Sequence, residues 1–309
     1  MRSLFAKEIT NIAKNNKKVV LLSGDIGNRM FEEFKDFAPE RFVNCGIAEA
    51  NMMSLASGMA LCGLRPVIYT ITPFTTTRCL EQIKIGAAYH DANLIIIGTG
   101  SGLSYSELGP THHSLEDIAI IRSIPGIRIL TPSDPEELKV QLNESLLLNG
   151  PTYIRIGKKG EPYIFSKDNY LGIGKANVIR KGTDILILAI GPIISEALSA
   201  SNDLANENIN VEVASMGSVK PLDEKFLEEN LIRNFKYWVT LEEHGLVGGL
   251  GSAILEWASD NNYLDKLKLK RIAVENQFIN KLGNQYYTRK MLGLDSSGIK
   301  KTLKKLCGN

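Results

Sequence analysis

Short apolar runs alternate with stretches of helical periodicity along almost the whole chain. The runs at 19–23, 66–70, 93–98, 127–130 and 153–156 are apolar at most positions, the mark of strands covered on both faces. Between them, the spacing predicts helices over 2–15, 51–63, 75–89, 114–124 and 135–148. Two of these carry start signals. Ser114 precedes Glu116 and Asp117, and Ser133-Asp134-Pro135-Glu136-Glu137 joins a cap to a proline in the first turn. A second unit opens near Ala176, with strands over 184–189, 211–214 and 237–241 and helices over 192–206, 223–230 and 252–259. Residues 158–174 are rich in Gly, Lys, Pro and Tyr without periodicity and form the expected linker. Buried strands alternating with helices predict parallel sheets with helices on both sides. The expected fold class is α/β, with two doubly wound domains over 1–165 and 166–309.

At 309 residues the chain can give each domain its own core. A net charge of +2 offers no basis for binding nucleic acid or an anionic membrane surface. Lysines gather at Lys14, Lys17 and Lys18 and again at Lys300, Lys301, Lys304 and Lys305, both expected as solvated helix faces. The four cysteines lack C-x-x-C spacing, which argues against a zinc knuckle or redox pair. Cys45, Cys62 and Cys79 have apolar neighbours and are expected to be buried thiols of a reducing compartment. Met1 leads into an amphipathic helix rather than a signal peptide, and no apolar run reaches the length of a membrane span. A cytoplasmic location is expected.

Within this frame one charge is out of place. Glu49 stands in Val43-Asn44-Cys45-Gly46-Ile47-Ala48-Glu49-Ala50-Asn51-Met52-Met53, where a loop becomes a helix of Met, Ala, Leu, Ser and Gly. Such a helix is expected to be buried, and a carboxyl at its start is costly to ionise without a partner yet suited to proton exchange. A first-turn Glu that only complements the helix dipole is the plainer reading of the spacing. Three further stretches follow predicted strands, where ligands collect in open parallel sheets. Ser23-Gly24-Asp25-Ile26-Gly27 offers Asp25 as a turn residue or a ligand contact. The run from Thr70 to Arg78 sets Phe74 among hydroxyl residues, although a core phenylalanine has the same pattern. Ser106-Glu107-Leu108-Gly109-Pro110-Thr111-His112-His113 holds two of the four histidines, able to donate a proton or bind a developing oxyanion, or simply a surface pair. Adjacent histidines rarely chelate one ion, so metal is disfavoured. The glycines at 98, 100 and 102 do not spell G-x-G-x-x-G, and those at 248, 249 and 251 are explained as well by helix packing as by an anion. A nucleotide-binding dehydrogenase or kinase is disfavoured.

Taken in this order, the four stretches resemble the transketolase family of thiamine-diphosphate enzymes, in the half that binds the cofactor's aminopyrimidine. Gly46-Ile47-Ala48-Glu49-Ala50-Asn51-Met52 is similar to the loop bearing the family's catalytic glutamate, and Gly109-Pro110-Thr111-His112 to its substrate-histidine loop. Thr240-Leu241-Glu242-Glu243-His244-Gly245-Leu246-Val247-Gly248-Gly249-Leu250-Gly251 looks like the signature of the family's C-terminal domain. The resemblance covers essentially the whole chain. It implies that Glu49 hydrogen-bonds the pyrimidine ring nitrogen and drives the amino group into the form that takes a proton from the thiazolium. It implies that Phe74 stacks on the ring, that Asp25, Ile26 and Ile71 line the pocket, and that His112 contacts substrate oxygen. Lys158 stands where the family has a phosphate-binding arginine, and His113 is a further substrate candidate; its role and that of His244 are left open.

The family's Gly-Asp-Gly metal and diphosphate motif is missing. The resemblance therefore implies an N-terminal transketolase subunit as partner, which would bind the diphosphate through Mg2+ or Ca2+, an α2β2 assembly, and an isolated chain without activity. No metal ligand is assigned to this chain. Leu108, where the family holds a sugar hydroxyl with aspartate, Gly100, where it has histidine, and Ile71, where it has an aromatic, point to ketol transfer on an unusual sugar. The alternatives are the β subunit of a 2-oxo-acid dehydrogenase, a deoxyxylulose-phosphate synthase relative, and a scaffold without catalysis.

Overall fold

Alternate residues of a strand face opposite layers, and β1 (Val19–Ser23) shows the consequence. Val19 and Leu21 pack with Phe5, Ile9, Leu138 and Leu142, whereas Val20 and Leu22 pack with Met52, Met53, Ile83 and Ile121. A strand buried on both faces needs helices on both sides. Arg2–Asn15 and Pro135–Leu147 supply one layer, and Glu49–Leu61 with Asp117–Arg122 the other. The structure, a computed structural model, describes residues 1–27, 29–165 and 170–308. The expected junction at 165/166 therefore abuts residues 166–169, outside those described.

β1 is followed by β2 (Phe42–Asn44), β3 (Arg65–Ile71), β4 (Ile95–Thr99), β5 (Arg128–Leu130) and β6 (Thr152–Ile156). The second half contributes β7 (Asn177–Arg180), β8 (Ile185–Ala189), β9 (Val211–Ser215), β10 (Ser218–Lys220), β11 (Tyr237–Gly245) and β12 (Leu269–Val274). The first sheet runs β10-β5-β6-β4-β3-β1-β2, parallel except where β10 pairs antiparallel with β5. The second runs β12-β11-β8-β9-β7, parallel except at β7. Both expected α/β units are present, and they are not independent. β10 crosses from the second half to edge the first sheet, and one apolar cluster runs from Met52 and Ile83 through to Leu186, Leu188 and Trp257. Arg155 on β6 adds a polar tie. It pairs with Asp117 at 2.7 Å and donates to the carbonyls of Ser114 and Glu243, with both charged side chains about 2% exposed. Breaking such a buried pair costs about 3–5 kcal/mol, because the surviving charge is stranded.

Several expectations are corrected. The single helix over 75–89 is instead a broken path: a short turn at Thr72–Thr75, a 3-10 turn at Thr77–Cys79, then Leu80–Gln82 and a π turn over Ile83–Tyr89. The hydroxyls of Thr75 and Thr76 both donate to the Thr72 carbonyl, competing with regular helical bonding. Ser114 is not a cap; its helix starts at Asp117, and Ser114 is held in a bridge to Gly102. Asp134 does cap, accepting from Glu137 N at 2.8 Å. Cys79 is buried, but Cys45 is half-buried and Cys62 exposed, because Cys62 sits just past the last turn of Glu49–Leu61. Lys17 and Lys18 lie in the turn after the first helix rather than on it. The C-terminal lysines do ride a helix, Ser296–Leu306, where Lys300 and Lys304 pair with Glu207.

Candidate active site

Strand order decides which loops meet. Because β4, β3, β1 and β2 are neighbours, the four loops leaving their C-terminal ends lie side by side and carry His112, Phe74, Asp25 and Glu49 respectively. After β2, Gly46 adopts φ +68 and the chain turns into the helix at Glu49. Asn44 ties this loop to its neighbour, accepting from Gly46 N and donating to Asp25 at 3.0 Å. Asp25 is exposed with φ +54, so the turn role considered for it is one it fills. Ile26 and Ile71 are half-buried, and Gly24 packs against Thr70, whose buried hydroxyl oxygen has no hydrogen-bond partner among the described residues.

Glu49 is 4% exposed, as expected, but it is not alone. Arg78 Nη1 donates to Glu49 Oε1 at 2.8 Å, and the same guanidinium lies over the Phe74 ring, 4.0 Å from its centroid. The irregular path after β3 is what makes this possible, since Phe74 and Arg78 flank the break at Thr76. Cys79 anchors the backbone at this point, its thiol donating to the Phe74 carbonyl at 3.1 Å. Burial, reinforced by the Glu49 charge, pushes that thiol up to about 12, so it stays protonated.

His112 meets Phe74 edge-on at 5.3 Å, and its Nδ1 pairs with the Thr111 hydroxyl at 2.9 Å. Burial first, then the charge of Arg78, hold its pKa below the ordinary imidazole value. His113 is placed differently. It is 4% exposed, with Nε2 at 3.1 Å from the Ser106 carbonyl, and it lines a separate cavity of about 430 Å3 with Glu116 and Phe278. His244 is fully buried between the Ala119 N–H and the Gly245 carbonyl. The glycines before Leu250–Asp260 leave no room for an anion, because the Glu242 carboxylate already accepts from Leu250 N and Gly251 N.

Tyr105, unremarked in the sequence, organises the other end of the cleft. Its ring packs over Gly100, where an added Cβ would fall 2.1 Å from a ring carbon. Lys158 lies 4.3 Å above that ring and pairs with Glu107 at 2.7 Å, which keeps the Glu107 carboxyl below its usual range. Leu108 is half exposed. Beyond Lys158 an open hollow of about 470 Å3 is lined by Arg2, Arg29, Lys158 and Lys159, with Glu33 as its acid. Helical periodicity gave no signal for Arg78, because the chain breaks at Thr76 between it and Phe74, and Tyr105, Arg2 and Arg29 carried none either.

The family's description "Transketolase, pyrimidine binding domain" matches residues 1–161, and "Transketolase, C-terminal domain" matches residues 174–299. The chain belongs to the transketolase family. Its relatives include a 6-deoxy-6-sulfo-D-fructose transketolase subunit from Clostridium sp. (strain MSTE9), 31% identical over 97% of this chain and 92% of the relative. An apulose-4-phosphate transketolase subunit of Phocaeicola vulgatus is 31% identical over 97% of this chain and 95% of its own. A solved structure titled "Split gene transketolase, inactive beta4 tetramer" superposes with a TM-score of 0.87 at 30% identity, covering 99% of this chain and 97% of that one. The chain is thus the subunit of a split transketolase that carries the pyrimidine-binding and C-terminal domains, in a family that depends on thiamine diphosphate. The 2-oxo-acid dehydrogenase alternative has less support than this one. No helix among the described residues is long and apolar enough to cross a membrane.

Proposed function

We propose that this chain, joined to a subunit carrying the diphosphate-binding domain, transfers a two-carbon ketol unit between sugars of which at least one bears an anionic group. The observation that carries this reading is the convergence of Glu49, Phe74 and His112 at the ends of adjacent strands. The donor set fits an aminopyrimidine. Phe74 offers an aromatic face, Glu49 a shielded carboxylate oxygen, and Arg78 already uses both as a planar nitrogen group would. Asp25, Ile26 and Ile71 would wall the same pocket. The partner would hold the diphosphate through Mg2+ or Ca2+ in an α2β2 assembly, and a cytoplasmic location suits sugar-phosphate chemistry.

When bound, thiamine diphosphate supplies a nucleophilic thiazolium carbon that carries the two-carbon unit. The residues of this chain orient and protonate around it. Glu49 would offer its carboxylate to a ring nitrogen of the bound cofactor for proton exchange, and its burial would keep bulk water from competing for that bond. His112, whose pKa burial and the Arg78 charge hold below the ordinary imidazole value, can donate from Nε2 to a substrate oxygen while Thr111 orients Nδ1. Tyr105 shapes the floor in place of the side chain that Gly100 lacks, and Arg2, Arg29, Lys158 and Lys159 receive the charged end of the sugar. Two relatives are named for a sulfonated and a phosphorylated sugar, in keeping with that cationic end.

The test compares kcat/KM of the co-purified two-subunit complex for phosphorylated or sulfonated ketoses and for their uncharged counterparts. The charged sugar should be preferred by about 100-fold, given charge-assisted hydrogen bonds of roughly 1.5–3 kcal/mol each. Equal turnover would remove the anionic-substrate reading, and the absence of ketol transfer from any sugar would remove the enzyme reading.

A further inference from the structure

Arg78 occupies a place that the proposed chemistry needs free. Its guanidinium is planar, lies 4.0 Å from the centre of the Phe74 ring and donates at 2.8 Å to Glu49. Those are the stacking and hydrogen-bonding contacts that an aminopyrimidine would make with the same two side chains. The Arg78 side chain is 45% exposed although the carboxylate it holds is 4% exposed, so it enters the pocket from the solvent side rather than forming part of its wall. Its charge also reaches His112 and contributes to lowering that imidazole. One cation thus touches, or acts through space on, each of the three groups assigned to the reaction.

We infer that Arg78 is a seat-holder: an internal stand-in for the cofactor's ring, which stacks on Phe74 and occupies Glu49 until the pyrimidine displaces it. The inference rests on the reading of Glu49 and Phe74 as the pyrimidine seat. The guanidinium lies over the Phe74 face, so a pyrimidine cannot stack on that face until the guanidinium leaves, and in that sense the two states exclude each other. The Arg78 guanidinium is 45% exposed, so water can take over its hydrogen bonds as it leaves, while the incoming ring supplies the buried carboxylate with a new partner. The displacement is therefore easily reversed. The arrangement also shields a carboxylate and an aromatic face that would stand open in a chain not yet joined to its partner, and it sets a threshold that only a ligand able to stack and hydrogen-bond together can pass.

The competing account makes Arg78 a positioning residue that holds the Glu49 carboxylate ready for the cofactor, and the two accounts predict opposite changes in affinity. Calorimetric titration of thiamine into the full-length chain, and of thiamine diphosphate with Mg2+ into the two-subunit complex, separates them. Arg78→Ala and Arg78→Gln should both bind more tightly than the parent, by about five- to tenfold in Kd. Circular dichroism melts identify a variant that fails to fold, and the second substitution then carries the comparison. Unchanged or weaker binding in a folded variant overturns the inference. Glu49→Gln in the Arg78→Ala background distinguishes the two layers of the argument. If it abolishes the gain, the pyrimidine seat is where it is placed here; if it changes nothing, the reading of the site fails as well.

Discussion

Gly100 and Tyr105 form the most sharply defined contact of the substrate end. Gly100 has φ +79, a conformation that side-chain-bearing residues avoid, and a Cβ there would overlap the Tyr105 ring. Gly100→Ala should therefore destabilise the chain by about 1–3 kcal/mol in urea unfolding. Adding Tyr105→Ala should return the part due to overlap and leave about 1 kcal/mol of backbone strain. Strict additivity of the two substitutions would show that they do not share the space. The sequence singles out Glu49, Phe74 and His112, and the loops that carry them stand side by side at the strand ends. What the sequence hid were partners. An apolar neighbourhood suggested a solitary Glu49, but Arg78 reaches it across 29 positions of chain, a pairing set by tertiary structure. The sequence leaves the role of His113 open, and the Ser106 carbonyl holds it in a setting different from that of His112.

Among the elements, the helix Pro135–Leu147 carries a testable pH response. Glu137, in its first turn, is fully buried, with Oε2 accepting from Ser133 N at 2.6 Å and the Ser215 hydroxyl of β9 donating at 3.1 Å. Burial raises its carboxyl to about 7, against the pull of those hydrogen bonds, and nearby Asp134 adds to the rise. Below about pH 4.3 the group is protonated in both folded and unfolded chains and has no effect on stability. Between that pH and about 7 the unfolded chain releases the proton while the folded one retains it, so stability falls across this window and then levels. Thermal melts of Glu137→Gln minus those of the parent should show a difference that grows from pH 5 to 7 and then flattens. A difference independent of pH would contradict the assignment. The elements that sequence periodicity located were those with continuous apolar faces. β2, β7, β10 and β12 escaped because they are short or charge-interrupted edges, and β10 exists as a strand only because β5 of the other half offers it an edge. The helix after β3 was misjudged for a different reason, the hydroxyls of Thr75 and Thr76 breaking its regular bonding.

For the whole molecule, the shared apolar cluster and the buried Asp117–Arg155 pair bind two α/β units into one support for the strand ends. The four loops at those ends carry Asp25, Glu49, Phe74 and His112 side by side, the arrangement on which the proposed half-site rests. That account depends on Glu49 acting in proton exchange rather than only starting a helix. Replacing it with glutamine keeps the shape and a hydrogen-bonding carbonyl, and leaves a half-exposed Arg78 whose lost pairing is worth no more than about 1 kcal/mol. The direct measurement is the single-turnover rate of ketol transfer by the Glu49→Gln complex, with mass and melting temperature recorded alongside. We expect a complex of unchanged mass and stability whose rate is lower by about 10²–10⁴-fold. A fully assembled variant that turns over like the parent would contradict the central claim.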